Sequence, residues 1–259
     1  MIFIIYAVVI FVATLLGSFV GLGGGVIIKP VLDVINVHTL MEISFFSSCG
    51  VFAMSLTSTT RYIVKKVPIK PSIVLLIASG SICGGILGNY LFNLALSSTD
   101  KTDTVRGVQS AILCAFLICV IIFVSGNFKT YQIKNPLVIL LSGLILGTTA
   151  AFLGIGGGPI NVAFLTLLFS FSMKDSAVYS VAIIFFSQLS NIITTYINTG
   201  FEDFDLKMLL VVIPCAVIGG LLGSKLNRKC NENIIKITFI IAVSLVAILS
   251  LYNSVTAFI

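Results

Sequence analysis

A chain of 259 residues that is 58% hydrophobic and 9% charged, with a mean hydropathy of +1.17, lacks the polar surface of a soluble domain, in which about a quarter of residues are charged. Its net charge of +6 lies in short loops between apolar runs and forms no basic stripe with interleaved aromatics, which argues against nucleic acid as a partner. Six scattered cysteines without a C-x-x-C pair and a lone histidine, His38, argue against a disulfide frame or a metal site, and no cofactor is expected.

In chain order, the first apolar run is 2–20, which has no basic leader and no small-residue cleavage site. A retained helix is expected there, not a signal peptide. A glycine break follows at 21–25, then a short piece at 26–37 and three long runs at 43–64, 72–96 and 107–125. The second half repeats the order with 136–153, a break at 154–158, a short piece at 159–172, and runs at 177–199, 208–226 and 235–252. The long runs match a hydrocarbon core of about 30 Å at about 1.5 Å per residue. The short pieces reach only roughly 18 and 21 Å and are expected to be half-helices. The fold expected is an all-α polytopic integral membrane protein whose solvent is the lipid bilayer. Each half is a glycine-broken helix or re-entrant hairpin followed by three transmembrane helices.

The order repeats because the sequence does. At an offset of 133 residues, Phe19-Val20-Gly21-Leu22-Gly23-Gly24-Gly25 aligns with Phe152-Leu153-Gly154-Ile155-Gly156-Gly157-Gly158. Further on, Ser47 meets Ser180 and Phe52 meets Phe185, and after a two-residue insertion Gly84, Gly85 and Gly88 meet Gly219, Gly220 and Gly223. Two repeats, 1–126 and 127–259, are expected to form one membrane domain. Five pieces per half would invert the second repeat, and the charges favour that reading. One side then holds eleven cations (Arg61, Lys65, Lys66, Lys70, Lys129, Lys134, Lys174, Lys225, Arg228, Lys229 and Lys236) and the other three, Lys101, Arg106 and Lys207. By the positive-inside rule both termini are expected outside the cytoplasm.

Irregular backbone at membrane depth must be buried in protein or line a wet cavity. The glycine breaks free N–H groups there, and the short helices that follow are expected to aim their positive ends at a common centre, a geometry that favours an anion. The candidate substrate contacts are therefore Gly21, Gly23, Gly24 and Gly25 with Gly154, Gly156, Gly157 and Gly158. The next run of each half adds matching polar side chains, Ser47, Ser55 and Ser58 against Ser180, Gln188 and Asn191, which serve either as site lining or as interhelical glue. Asn161, three residues past the second break and at membrane depth, is a further candidate substrate contact. Lys29 is a cation inside an apolar piece, and it has three readings: substrate contact, an i,i+4 pair with Asp33, or snorkelling to the interface. The G-G-x-x-G pairs read as close helix packing. Apart from Lys29 and Asp33, no ionisable group sits deep in a run, so no proton relay is apparent.

At these residues the chain resembles the sulfite exporter TauE/SafE family of membrane permeases, with GSFVGLGGGVIIKPVL and AAFLGIGGGPINVAFL as the carriers and essentially the whole chain covered. The resemblance implies a bacterial or archaeal inner-membrane permease for sulfur-containing anions such as sulfite, sulfonates or thiosulfate, usually moving them outward. It also marks Pro30 in the first motif. The second motif has Ala163 in that place and Pro159 directly after its glycines, so unequal half-sites are expected. The function expected is secondary transport or uniport of a small anion through a glycine-lined midplane site, with no enzymatic activity. The alternatives are transport of another solute, a membrane assembly factor or an intramembrane enzyme, and the sequence is compatible with a homo-oligomer.

Overall fold

The computed structural model describes residues 2–35, 37–97, 102–126, 128–153, 155, 157–201 and 204–258. Among the described residues, ten α-helices follow one another: α1 (Ile2–Val20), α2 (Gly25–Ile35), α3 (Leu40–Val64), α4 (Pro71–Ser97), α5 (Thr102–Ser125), α6 (Pro136–Leu153), α7 (Gly158–Phe169), α8 (Met173–Thr199), α9 (Leu209–Lys229) and α10 (Glu232–Phe258). A 3-10 turn, Leu206–Met208, leads into α9. Eight of the ten are long and apolar enough to cross a membrane, the exceptions being α2 and α7. With 11 and 12 residues, these two are roughly 17 and 18 Å long. They end two to three residues earlier than their hydropathy implies. For α7 the end is set by the chain's own turn and by a distant segment: Ser170 adopts a left-handed conformation (φ 53°), and from far upstream Tyr131 N–H and Ile133 N–H take the carbonyls of Leu167 and Leu168 at 2.7 and 2.9 Å.

Local signals set the other ends. Pro71 and Pro136 each stand first in their helix, where the missing N–H costs nothing. Thr39 opens α3 with a reciprocal capping box, its hydroxyl accepting from Glu42 N–H while Glu42 Oε2 accepts from Thr39 N–H at 2.9 Å. Replacing Thr39 with alanine is expected to destabilise the protein by about 1 kcal/mol, read as a lower thermal midpoint in detergent with transport unaltered.

Glycines let α4 meet α6 and α1 meet α9 at backbone distance. A methyl on Gly84 would strike the Leu144 carbonyl, and one on Gly88 the Thr148 carbonyl, while Gly143 and Gly147 lie against Ile77 and Ser81. Gly219 likewise meets Phe11–Leu15, and Gly223 meets Leu15–Phe19. Small residues replace the hydrophobic drive that lipid withholds from helix pairs. Because contacts advance together along both chains, α4 runs parallel to α6 and α1 parallel to α9. By the same test α3 runs with α9, Gly50 meeting Val212 and Gly220 meeting Met54. The helix α8 runs against α3: Asn191 bonds Ser48, while Phe185 stacks on Phe52.

One end of the bundle gathers the cation-rich connections. Lys174 Nζ donates to the carbonyls of Arg228 and Cys230, each at 3.1 Å, Glu232 Oε1 accepts from Met173 N–H, and Tyr179 Oη accepts from Lys70 N–H. The opposite end holds the start of α1, the end of α2 and the start of α3, where Tyr6 bonds His38 at 2.6 Å, and also Phe204, stacked on Phe45. Lys101 lies outside the described residues.

Candidate functional site

Each glycine break turns the chain back on the helix it has just left. Gly21, Gly23 and Gly24 hold φ of 84°, 79° and 71°, and Gly157 holds 71°, a region costly to any residue with a Cβ. Gly24 is thereby folded against Ala13, and α2 returns alongside α1 until His38 reaches Tyr6. The second hairpin does the same, with Gly157 against Ala150. Gly154 and Gly156 lie outside the described residues.

The two hairpins meet at the centre in a reciprocal contact. The Cβ position of Gly25 lies 2.8 Å from the Ile155 carbonyl oxygen, and that of Gly158 falls on the Leu22 carbonyl. At the 133-residue offset these are equivalent pairs. Ser180 Oγ spans the junction, donating to Gly21 O at 2.8 Å with Gly158 O at 3.4 Å, and Ser47 Oγ lies beside Gly25. Among the described residues, backbone touches backbone here. Several of the freed amides turn inward, since Gly23 N–H, Gly25 N–H and Ile155 N–H bond Gly17 O, Gly23 O and Ala150 O within their own hairpins. Asn161 is buried against Gly157.

Open space lies to one side of this junction. A cleft of about 60 Å³, open to one side, lies in the cation-poor half and is bounded by α2, the starts of α3 and α5, and the ends of α4, α6 and α8. Its polar walls are Lys29, Ser44, Asn89, Asn93, Gln109, Asn191, Thr194, Thr195, Asn198 and Thr199. Among the described residues, none that lines it is acidic. Asn89 Nδ2 donates to Asn191 Oδ1 at 2.9 Å, and Asn191 Nδ2 donates to Ser48 Oγ at 2.7 Å, which ties α4, α8 and α3 together along one wall.

Lys29 forms the inner limit of the cleft. Its Nζ donates to Leu153 O at 2.9 Å and to Gln109 Oε1 at 3.2 Å, while Gln109 Nε2 donates to Phe152 O at 2.6 Å. A cation from the first half thus caps the negative end of the broken helix α6 in the second.

The sequence-derived residues separate in space. Lys29 and Asn191 line the cleft; Ser47 and Ser180 lie at the hairpin junction. Ser55 bonds Phe52 O in its own helix, and Ser58 pairs with Ser18 at 2.8 Å and donates to Gly220 O. Gln188 is buried outside the cleft lining. Sequence reasoning missed Asn89, Asn93, Gln109 and Asn198. For Asn89, Asn93 and Asn198 the signal was amides recurring at helical spacing near the ends of two runs, Asn89 with Asn93 and Asn191 with Asn198, whereas Gln109, near the start of its run, had no such partner.

The position equivalent to the cleft in the cation-rich half is sealed. There Ser18, Ser58 and Gly220 O form one cluster, Asn227 Nδ2 donates to Phe19 O at 2.8 Å, and Tyr62 Oη reaches Ser18 O at 3.4 Å.

Eight membrane-length helices, two buried glycine hairpins and a one-sided polar cleft define a polytopic α-helical membrane protein with a solute-sized chamber. The chain belongs to the sulfite exporter TauE/SafE family, whose model matches residues 6–250. It is 27% identical to the probable membrane transporter protein YunE of Bacillus subtilis (strain 168), over 98% of each chain. It is 26% identical to the probable membrane transporter protein MJ0441 of Methanocaldococcus jannaschii, over 86% of this chain and 84% of that one. A shorter match, 26% identical over 41% of this chain and 18% of the other, is to the probable membrane transporter protein MamO of Magnetospirillum gryphiswaldense. No solved structure matches the chain.

Proposed function

We propose that this protein is a permease for a small oxyanion, of the sulfite, thiosulfate or sulfonate class, and that its two halves are inverted repeats moving against each other. The observation that carries the reading is the cleft wall, which among the described residues offers one lysine, five amides and several hydroxyls but no carboxylate. Uncharged donors around a single cation hold an oxyanion without trapping it, and the absence of acids removes the repulsion a dianion would meet.

Inversion is supported by helix directions: α1 and α3 run with α9, while their counterparts α6 and α8 run with α4. With the cation-rich end cytoplasmic, both termini lie outside and the open cleft faces outward. The sealed cluster around Ser58 and Asn227 then occupies the inner counterpart, and an exchange of the two shapes would carry the anion past the glycine hairpins. Export of a dianion from a negative-inside cell is favoured by about 4.6 kcal/mol per 100 mV.

Purified protein in liposomes is expected to move labelled sulfite, thiosulfate or a sulfonate at a saturable rate, inhibited by the other members of the class. Folded protein that moves none of the three would exclude the anion reading and leave an assembly role.

A further inference from the structure

Behind the cleft lies a smaller chamber that shares two of its walls. It is lined by Asp33, Arg106 and Ser110, together with Lys29 and Gln109, which also face the cleft. Asp33 is 8% exposed, and its Oδ1 has no hydrogen-bond partner among the described residues. A buried carboxylate oxygen normally has its hydrogen bonds filled, and one that does not calls for a reason.

Among the described residues, the charged and titratable groups around Asp33 are few. Lys29 stands one turn away on its own helix and Arg106 faces it from α5. Tyr6 on α1 stands further off, bonded to His38 and within reach of Glu42, which is engaged in the α3 cap. From α10 the contact is an amide, Asn253, donating to Pro30 O. Asp33 therefore depends on two cations, one of which also serves the cleft.

We propose that Asp33 takes up one proton when an anion binds in the cleft, so that the protein moves anion and proton together. This rests on the anion reading above. An oxyanion in the cleft bonds Lys29 and offsets the positive charge that Asp33, in the chamber behind it, shares. Two negative groups sharing one cation favour protonation of the weaker acid. The step is an association of a proton from water with a carboxylate oxygen, and the unpartnered Oδ1 is positioned to hold it. Because Thr166 stands where Asp33 does at the 133-residue offset and Val162 where Lys29 does, the device exists in one half only. Linkage is reciprocal, so anion binding must tighten as pH falls.

The test is calorimetry of thiosulfate binding to the full chain in detergent, in two buffers of different ionisation heat. Thiosulfate keeps its full charge through the range, so any proton belongs to the protein. The expected result is uptake of about one proton per anion, with affinity rising up to tenfold per unit of falling pH. Asp33→Asn is expected to bind with no proton uptake and a flat pH profile, whatever its affinity. Wild-type binding with no proton uptake overturns the proposal while leaving the anion reading intact, and needs no variant to fold. Unchanged uptake in Asp33→Asn also overturns it. Absence of thiosulfate binding, together with absence of flux for all three anions, removes the anion reading and this inference with it.

Discussion

Gly158→Ala is expected to cripple the protein, whereas Gly85→Ala, a substitution of the same size in the same half-buried bundle, is expected to be silent or mildly stabilising. A methyl on Gly158 falls on the Leu22 carbonyl of the opposite hairpin. That neighbour is backbone, held in turn by the left-handed turns at Gly21 and Gly23, and cannot rotate away as a side chain would. Overpacking of this kind costs about 1–3 kcal/mol where the surroundings yield, and here both walls are main chain. Gly85 has only Ser190 Oγ near it, at 3.9 Å, and alanine is better than glycine inside a helix by roughly 0.5–1 kcal/mol. The measurements are the thermal midpoint in detergent and thiosulfate flux in liposomes. If the hairpins slide past each other during transport, every 1.4 kcal/mol or so added to that step slows it about tenfold. Flux in Gly158→Ala should therefore fall by at least about tenfold even in protein that remains folded. Wild-type stability and flux in that variant would mean the hairpins are not in contact in the membrane.

How much of this was legible follows from what each feature depends on. Helix spans were legible because hydropathy, length and charged loops are local properties, and α1 and α6 end at the residues expected of them. The hairpins were legible because the same glycines occur twice. Their mutual contact follows from pairing Gly25 with Ile155 and Gly158 with Leu22, which is a consequence of the repeat and not of either segment alone. The cleft was not legible as a whole, since its amides come from three helices: Asn191 was legible in the matched polar set of its run, but Asn89 and Gln109 each read as a polar residue in an apolar run. Nor did the serine face of α3 stay together. Ser47 and Ser58 are eleven residues apart, about 16 Å along a helix, so one meets the hairpins while the other meets Gly220. The early end of α7 depends on Tyr131 and Ile133, some thirty-five residues upstream, and no window on α7 itself contains them.

Lys29 was legible as an ionisable group at depth, yet none of its three sequence-based readings included the partners it has. Its bonds to Leu153 O and Gln109 Oε1 give it two roles that a single deletion would confuse: a cap on α6 and, among the described residues, the one positive charge on the cleft wall. Lys29→Gln separates them, because glutamine keeps an N–H donor for the cap and loses the charge. Removing one member of a buried, hydrogen-bonded charge contact costs about 2–5 kcal/mol, which corresponds to a roughly 30- to several-thousand-fold loss in anion affinity. The expected outcome is a thermal midpoint within a few degrees of wild type and a steep rise in the half-saturating concentration for divalent thiosulfate. The rise should be smaller for a monovalent sulfonate, because the lost Coulomb energy scales with the charge of the ligand. Lys29→Arg should retain part of the affinity, since it preserves the charge but not the reach. A Gln variant that keeps wild-type affinity for thiosulfate would reduce Lys29 to a helix cap and move selectivity to the amides. A loss equal for mono- and divalent anions would mean that geometry, not charge, is what the lysine contributes.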